Sequence, residues 1–324
     1  MNGGAVPADA AGSGKADRPE LLVLRALKLG DLLVAVPALK AIRRAFPEHR
    51  LRYAAQGWLS EALGLVGGYE LLPTHGLDEP LALRPGVVDV AVNLHGNGPE
   101  SAGRIEALRA RRTIAYRSGN LDGPPWRAEL HERERWAHLL SWHGIETDPT
   151  DLRLEHPQVP NPAPGATVVH VGAAYGSRLW PAERFAAVAA ELAQAGHHVV
   201  FTGGEGERDR AHAVCGLAGL PSESVLAGSL GLAGFAAVIA GARLVISADT
   251  GAAHLASAYG TPSVVLFGPA PPEIWGPPPG PHVVLTKAKL RRGDTFSDVP
   301  DPALLAVEVD DVMAAVGGLG LLPA

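Results

Sequence analysis

Cysteine is nearly absent: Cys215 is the only one in 324 residues, so no disulfide can form within the chain. That fits a reducing compartment. Lysine is scarce as well. Only five of the 28 basic residues are lysines: Lys15, Lys28, Lys40, Lys287 and Lys289. With abundant Ala and Gly, this arginine bias reflects a GC-rich genome more readily than a binding need. An excess of positive charge is missing too. The net charge is −6 and the pI about 6.1, which weighs against a nucleic-acid binder. No run of about 20 apolar residues occurs, so no transmembrane helix is expected.

Several catalytic signatures are also missing. There is no H-E-x-x-H, no C-x-x-C and no G-x-S-x-G, so metal and nucleophile searches return little. No complete G-x-G-x-x-G follows a strand, since Asp209 stands where the third glycine after Gly204 and Gly206 belongs. That weakens a nicotinamide-dependent reading. Residues 1–19 are rich in Gly and Ala and lack the basic-then-apolar order of a signal peptide; a disordered tail is expected. Within it, Gly12-Ser13-Gly14-Lys15 is a fragment of a phosphate loop, without the upstream glycine or a preceding strand. Cys215 falls in a helical stretch and reads as a core residue.

Glycine and proline are plentiful. The 39 glycines and 28 prolines make up nearly a fifth of the chain, against an ordinary share of about 12%. Hydrophobic residues at 47% still support a packed core and exclude a wholly disordered chain. Short apolar runs alternate with helical patterns. Leu21–Leu24, Leu51–Ala55, Val87–Leu94 and Thr113–Tyr116 read as strands, and a helical stretch runs from Asp31 to about Phe46, kinked by Pro37. Pro157, Pro160, Pro162 and Pro164 then interrupt the chain. The alternation restarts with strands at 168–171, 198–201, 244–247 and 263–267, separated by helices at 181–195, 205–217, 231–240 and 252–259. Two α/β domains with parallel sheets are expected, 20–156 and 166–324, joined by a Pro-rich linker at 157–165.

In open parallel sheets, ligands bind beyond the carboxyl ends of the strands. Three segments at such ends carry polar groups. Lys28-Leu29-Gly30-Asp31 puts a carboxylate at a helix start, where it is either a helix cap or a base for a substrate hydroxyl. Asp249-Thr250-Gly251 with His254 follows a buried strand. It is either an anion site at a helix N-terminus, or a cap with an ordinary histidine one turn on. His170 to Pro181 is a strand, then Gly172, then a loop whose one cation, Arg178, suits a pyrophosphate. Trp180 in the same loop reads as a packing anchor. Arg104, Arg109, Arg111 and Arg112 could meet an anionic acceptor, but a solvated helix face is the better account.

Together these segments resemble family 9 glycosyltransferases, the heptosyltransferase family of lipopolysaccharide core assembly. The matching pieces are Arg25–Asp31 with Pro37-Ala38-Leu39, His170–Pro181, Phe201-Thr202-Gly203-Gly204, Gly228-Ser229-Leu230, Asp249-Thr250-Gly251 with His254, Gly260-Thr261-Pro262, and Phe267-Gly268-Pro269 with Trp275-Gly276-Pro277. They run in family order from about Leu21 to Pro277; Val171 stands where the family commonly has Pro. The resemblance implies a GT-B fold of two Rossmann-like domains facing a cleft. It implies an inverting, metal-independent transferase that moves a heptose or related sugar from an ADP-linked nucleotide sugar. The acceptor is a hydroxyl of a glycan, glycolipid or metabolite. By the same resemblance, Asp31 is the catalytic base, and Gly172, Arg178, Asp249, Thr250, Gly251 and His254 contact the donor. Lys28 and Gly30 are candidates for a phosphate or acceptor contact. The expectation is a cytoplasmic enzyme with no cofactor, no metal and no nucleic-acid partner, touching the inner face of the cell membrane at most peripherally. Two other readings fit the same segments: a sugar-nucleotide-binding protein without activity, and a sugar-nucleotide epimerase.

Overall fold

The computed structural model describes residues 18–322. Residues 1–17, and with them Gly12-Ser13-Gly14-Lys15 and most of the expected tail, lie outside the described residues. The first half runs β1 (Glu20–Leu24), α1 (Leu29–Val34), α2 (Val36–Ala45), β2 (Arg50–Ala55), α3 (Ser60–Val66), β3 (Glu70–Pro73), β4 (Val88–Asn93), α4 (Pro99–Ala107), β5 (Arg112–Ile114) and α5 (Glu132–Trp142). The second half runs β6 (Thr167–His170), α6 (Ala182–Gln194), β7 (Val199–Thr202), α7 (Arg208–Leu217), α8 (Leu232–Ala240), β8 (Leu244–Ala248), α9 (Gly251–Tyr259), β9 (Ser263–Leu266), α10 (Pro272–Trp275), β10 (His282–Leu285), α11 (Pro302–Leu305) and α12 (Val309–Gly318).

Each half holds a five-stranded sheet, ordered β3-β2-β1-β4-β5 in the first and β10-β9-β8-β6-β7 in the second. Every pairing is parallel. The central strands are buried on both faces, as their unbroken Leu, Val and Ile runs require. The order reverses between β1 and β4 in the first sheet, and between β6 and β8 in the second. Loops leaving a sheet at such a point diverge to opposite faces and open a crevice. The segments carrying Asp31, Arg178 and Asp249 follow β1, β6 and β8.

The strand and helix positions read from periodicity agree with these elements to within a few residues except at the first helix; β3, β10 and the helices α3, α5, α10, α11 and α12 are not among them. The helix after β1 starts at Leu29, not Asp31, and is broken at Ala35; Pro37 sits in the first turn of α2, where its missing N–H costs no bond. Strand β3 is four residues long, half-exposed and ends in a proline, so it carries no clear signal. Strand β10 is only partly buried at every position and lies at a sheet edge in a Pro-rich region.

The halves pack helix to helix. Leu29 and Leu33 of α1, Ala236 and Ile239 of α8, and Ala252 and Leu255 of α9 belong to one apolar cluster. Two glycines set the distance. A Cβ on Gly30 would lie 2.9 Å from His254 Cδ2, and one on Gly251 would lie 2.7 Å from Leu29 Cδ2. Only residues without a side chain let the starts of α1 and α9 meet this closely. Glu61 of α3 adds a polar clasp, its carboxylate accepting from the Ala233 N–H in the first turn of α8 at 2.8 Å. Among the described residues no helix is long and apolar enough to cross a membrane.

Candidate active site

Where the two rows of strand ends face each other there is a cavity of about 610 Å³. Its first-half wall contains Lys28, Gly30 and Asp31. Its second-half wall contains Arg178, Asp249, Thr250, Gly251 and His254. The fold thus gathers eight of the nine residues expected from sequence. Gly172 is the exception, because it does not line the cavity. A Cβ there would fall 2.0 Å from a Glu207 carboxylate oxygen, so the glycine makes room for Glu207 instead of approaching a ligand.

Asp31 is the third residue of α1. Its Oδ2 accepts from the Lys28 N–H at 3.1 Å, which closes the helix start. Its Oδ1 lies 3.5 Å from Arg25 Nη2, and the side chain is 24% exposed, so one carboxylate oxygen is held while the group still faces the cavity. Helix capping and access to a ligand therefore coexist.

Arg25 opens the Arg25–Asp31 segment without an assigned role, yet it organises this wall. It is 1% exposed. Its Nε donates to the Asp31 carbonyl at 2.6 Å, its Nη1 donates to the Leu94 carbonyl, and its Nη2 donates to Glu132 Oε1 at 3.1 Å. The guanidinium also lies 4.9 Å from the Trp136 ring centroid. Glu132 is itself held by Arg135 and by the Trp136 indole N–H at 3.0 Å. A buried cation is tolerable only with such a set of partners. Beside it, His95 Nδ1 accepts from the Ala26 N–H at 3.2 Å. Burial, and then the Arg25 charge, push this imidazole down to about 4.

On the opposite wall, Thr250 precedes α9 in extended conformation and caps nothing; its hydroxyl pairs with Ser247 Oγ at 2.8 Å. Among the described residues the N–H groups of Gly251 and Ala252 have no acceptor, and both residues line the cavity. An open helix N-terminus of this kind binds anions. Arg178 lies alongside, with Nη1 3.3 Å from Asp249 Oδ2 and donating to the Asp249 carbonyl, while its buried Nε has no partner among the described residues. His254 Nε2 is 3.6 Å from Asp249 Oδ1.

Further groups escaped the sequence reading. Glu207 accepts from the Gly204 N–H at 2.6 Å and lines the cavity, although its signal is only one acidic residue after a Gly-Gly turn. His170 pairs with Thr202 Oγ1 at 3.0 Å, and burial pushes it down to about 4. At the rim, His131 Nε2 and Arg133 Nη1 both reach the Gly276 carbonyl, at 3.0 and 3.1 Å, bridging the halves beside Trp275. Burial and the neighbouring Arg133 charge also hold His131 at about 4. By contrast, Arg104 bonds the Leu77 and Asp78 carbonyls, Arg111 pairs with Asp89, and Arg112 bonds the His143 carbonyl; neither these nor Arg109 line the cavity. Trp180 is the expected anchor, fully buried with its indole N–H on the Val307 carbonyl. No cluster of three His, Cys, Asp or Glu side chains suited to a metal occurs among the described residues.

Residues 138–297 match glycosyltransferase family 9 (heptosyltransferase). That match covers just under half of the chain. The chain is 36% identical over 129 residues to lipopolysaccharide heptosyltransferase 1 of Pseudomonas aeruginosa, a stretch covering 39% of this chain and 36% of that protein. The sequence match thus spans about a third of the curated relative. The fold match is far wider. A family 9 glycosyltransferase from Veillonella parvula superposes with a TM-score of 0.72 at 21% identity, over 94% of this chain and 98% of that one. ADP-heptose LPS heptosyltransferase II of E. coli gives 0.72 at 18% identity, over 93% and 98%. The two parallel sheets facing a cleft are the GT-B fold of these family 9 structures.

Two measurements test this arrangement. Arg25→Leu leaves Glu132 as a buried charge short of a partner, and should lower unfolding stability by about 3–5 kcal/mol in urea titration; a loss under about 1 kcal/mol would contradict the network. His95, His131 and His170 resist protonation in the folded state down to about 4, whereas their unfolded counterparts take protons near 6.5. Below pH 6.5 the unfolded chain therefore binds more protons, and stability should fall as pH drops from about 6.5 to 5. The urea midpoint should fall over that interval, less steeply in His170→Gln; a flat profile would refute the assignment.

Proposed function

We propose that this chain is an inverting glycosyltransferase that moves a heptose or related sugar from an ADP-linked donor to an acceptor hydroxyl. The acceptor is a glycan, glycolipid or metabolite, with lipopolysaccharide core as the case suggested by the relatives. The observation that carries this reading is a single cavity with a held but accessible carboxylate, Asp31, on one wall and an uncapped helix N-terminus beside Arg178 on the other.

In this reading the donor diphosphate lies against the free N–H groups of Gly251 and Ala252, with Arg178 and Lys28 supplying positive charge. His254 and Asp249 border it. Glu207, which can only accept hydrogen bonds, takes hydroxyls of the donor ribose. The acceptor oxygen attacks the anomeric carbon from the face opposite the diphosphate, and Asp31 takes its proton. The bond from the anomeric carbon to the diphosphate breaks and ADP leaves with the electron pair, so configuration inverts. Charge growing on the leaving phosphate meets oriented N–H dipoles that need no reorganisation, which lowers the barrier. No step calls for a metal or cofactor. The site belongs in the cytoplasm, where nucleotide sugars are made, with at most peripheral contact to the membrane.

Asp31→Asn should lower transfer from ADP-heptose by about a hundredfold or more, as expected for loss of a general base. ADP affinity by calorimetry should change less than about threefold, because Asp31 lies on the other wall. Near-wild-type turnover in the variant would remove Asp31 from the chemistry. Epimerisation of the sugar nucleotide without any acceptor would favour the epimerase reading instead.

A further inference from the structure

We infer that Trp58 and Gln56 form the acceptor subsite and that it takes the face of a neutral sugar ring in preference to an anionic one. The inference rests on the glycosyl-transfer reading above. Both residues follow the end of β2, the strand beside β1 in the sheet, and both line the cavity that holds Asp31. They belong to the base-bearing half, away from the α9 N-terminus where the donor diphosphate is placed.

Trp58 is 46% exposed in a short turn, Gly57–Leu59, yet it is not a loose side chain. Its indole N–H donates to Gln56 Oε1 at 2.6 Å. The bond fixes the ring on the wall and turns the amide so that its oxygen is used and its NH2 has no acceptor among the described residues. A rigid aromatic face with an adjacent free amide donor matches a pyranose. One face of the sugar presents C–H bonds, which are attracted to the negative π-face, while its edge presents hydroxyl oxygens for the amide.

The charges on this wall point the same way. Among the described residues, Lys28 and Asp31 are its only charged ones. No arginine of the first half lines the cavity, and three are committed to other partners: Arg104 to two carbonyls, Arg111 to Asp89 and Arg25 to the buried network. A carboxylated or phosphorylated acceptor would meet one cation and the Asp31 carboxylate together, without the guanidinium fork that such groups favour.

Saturation-transfer NMR on the full chain tests this, with methyl β-D-glucopyranoside and methyl α-D-mannopyranoside as neutral probes and methyl glucuronoside as the anionic one. Each is measured with and without ADP. The neutral glycosides should show transfer to the C–H protons of one face, several times stronger than the glucuronoside. Trp58→Ala should weaken neutral-glycoside binding by about three- to tenfold, Trp58→Phe should retain most of it, and Gln56→Ala should fall between. ADP affinity should be unchanged in all three variants. Equal or stronger binding of the glucuronoside, undiminished binding by Trp58→Ala, or no signal from either neutral probe would overturn the inference. Failure of ADP to bind the wild-type chain would instead strike the transferase reading, because the ADP-free spectra still report on the sugar subsite.

Discussion

The buried guanidinium of Arg25 is the constraint on which the site depends. It gathers the end of β1, the end of β4, the start of α1 and the first turn of α5 around one charge. A cation 1% exposed is stable in that position only because Glu132 is there to meet it, itself fixed by Arg135 and Trp136. The consequence reaches Asp31. Its main-chain carbonyl and one carboxylate oxygen both face Arg25, so a carboxylate that swung away from the crevice would cost the buried cation one of its two anionic partners. A side chain that merely needed to cap a helix would require none of this.

The second constraint is distance between the halves. Parallel sheets with reversed strand order open a crevice at their carboxyl ends, and this chain sets two such crevices mouth to mouth. How close they come is decided at the starts of α1 and α9, where Gly30 and Gly251 let backbone pack against a neighbouring side chain. The same contact brings Asp31 on one helix and the open N–H groups of the other onto a single cavity. Glu61 capping α8, and His131 with Arg133 on the Gly276 carbonyl, close the flanks by polar contacts that solvent can replace. Such a division, apolar at the centre and polar at the edges, suits two bodies that must part to exchange ligand.

Much of the fold was legible because the central strands are continuous apolar runs and the helices between them keep their period. Both switch-point loops carry glycine and a carboxylate, so Asp31 and Asp249 stood out. What escaped notice lacks local contrast. Strand β3 is short and half-exposed, and β10 is an edge strand in Pro-rich chain. Arg25 looks like any loop arginine until α5, more than a hundred residues away, supplies Glu132. Glu207 gains its place only because Gly172 vacates it, so the glycine was read as the contact and the glutamate behind it was overlooked. Trp58 reads as a surface tryptophan unless its bond to Gln56 and its place on the cavity wall are seen together.

The central claim is that the nucleotide diphosphate seats on the second-half wall, at the start of α9 and beside Arg178. Hydrogen exchange by mass spectrometry on the full chain, with and without saturating ADP, tests it most directly. Slowed exchange is expected in residues 249–254 and 173–178, with α4 on the far side of the first sheet unchanged. Unaltered exchange at 249–254, or protection confined to the first half, would contradict it.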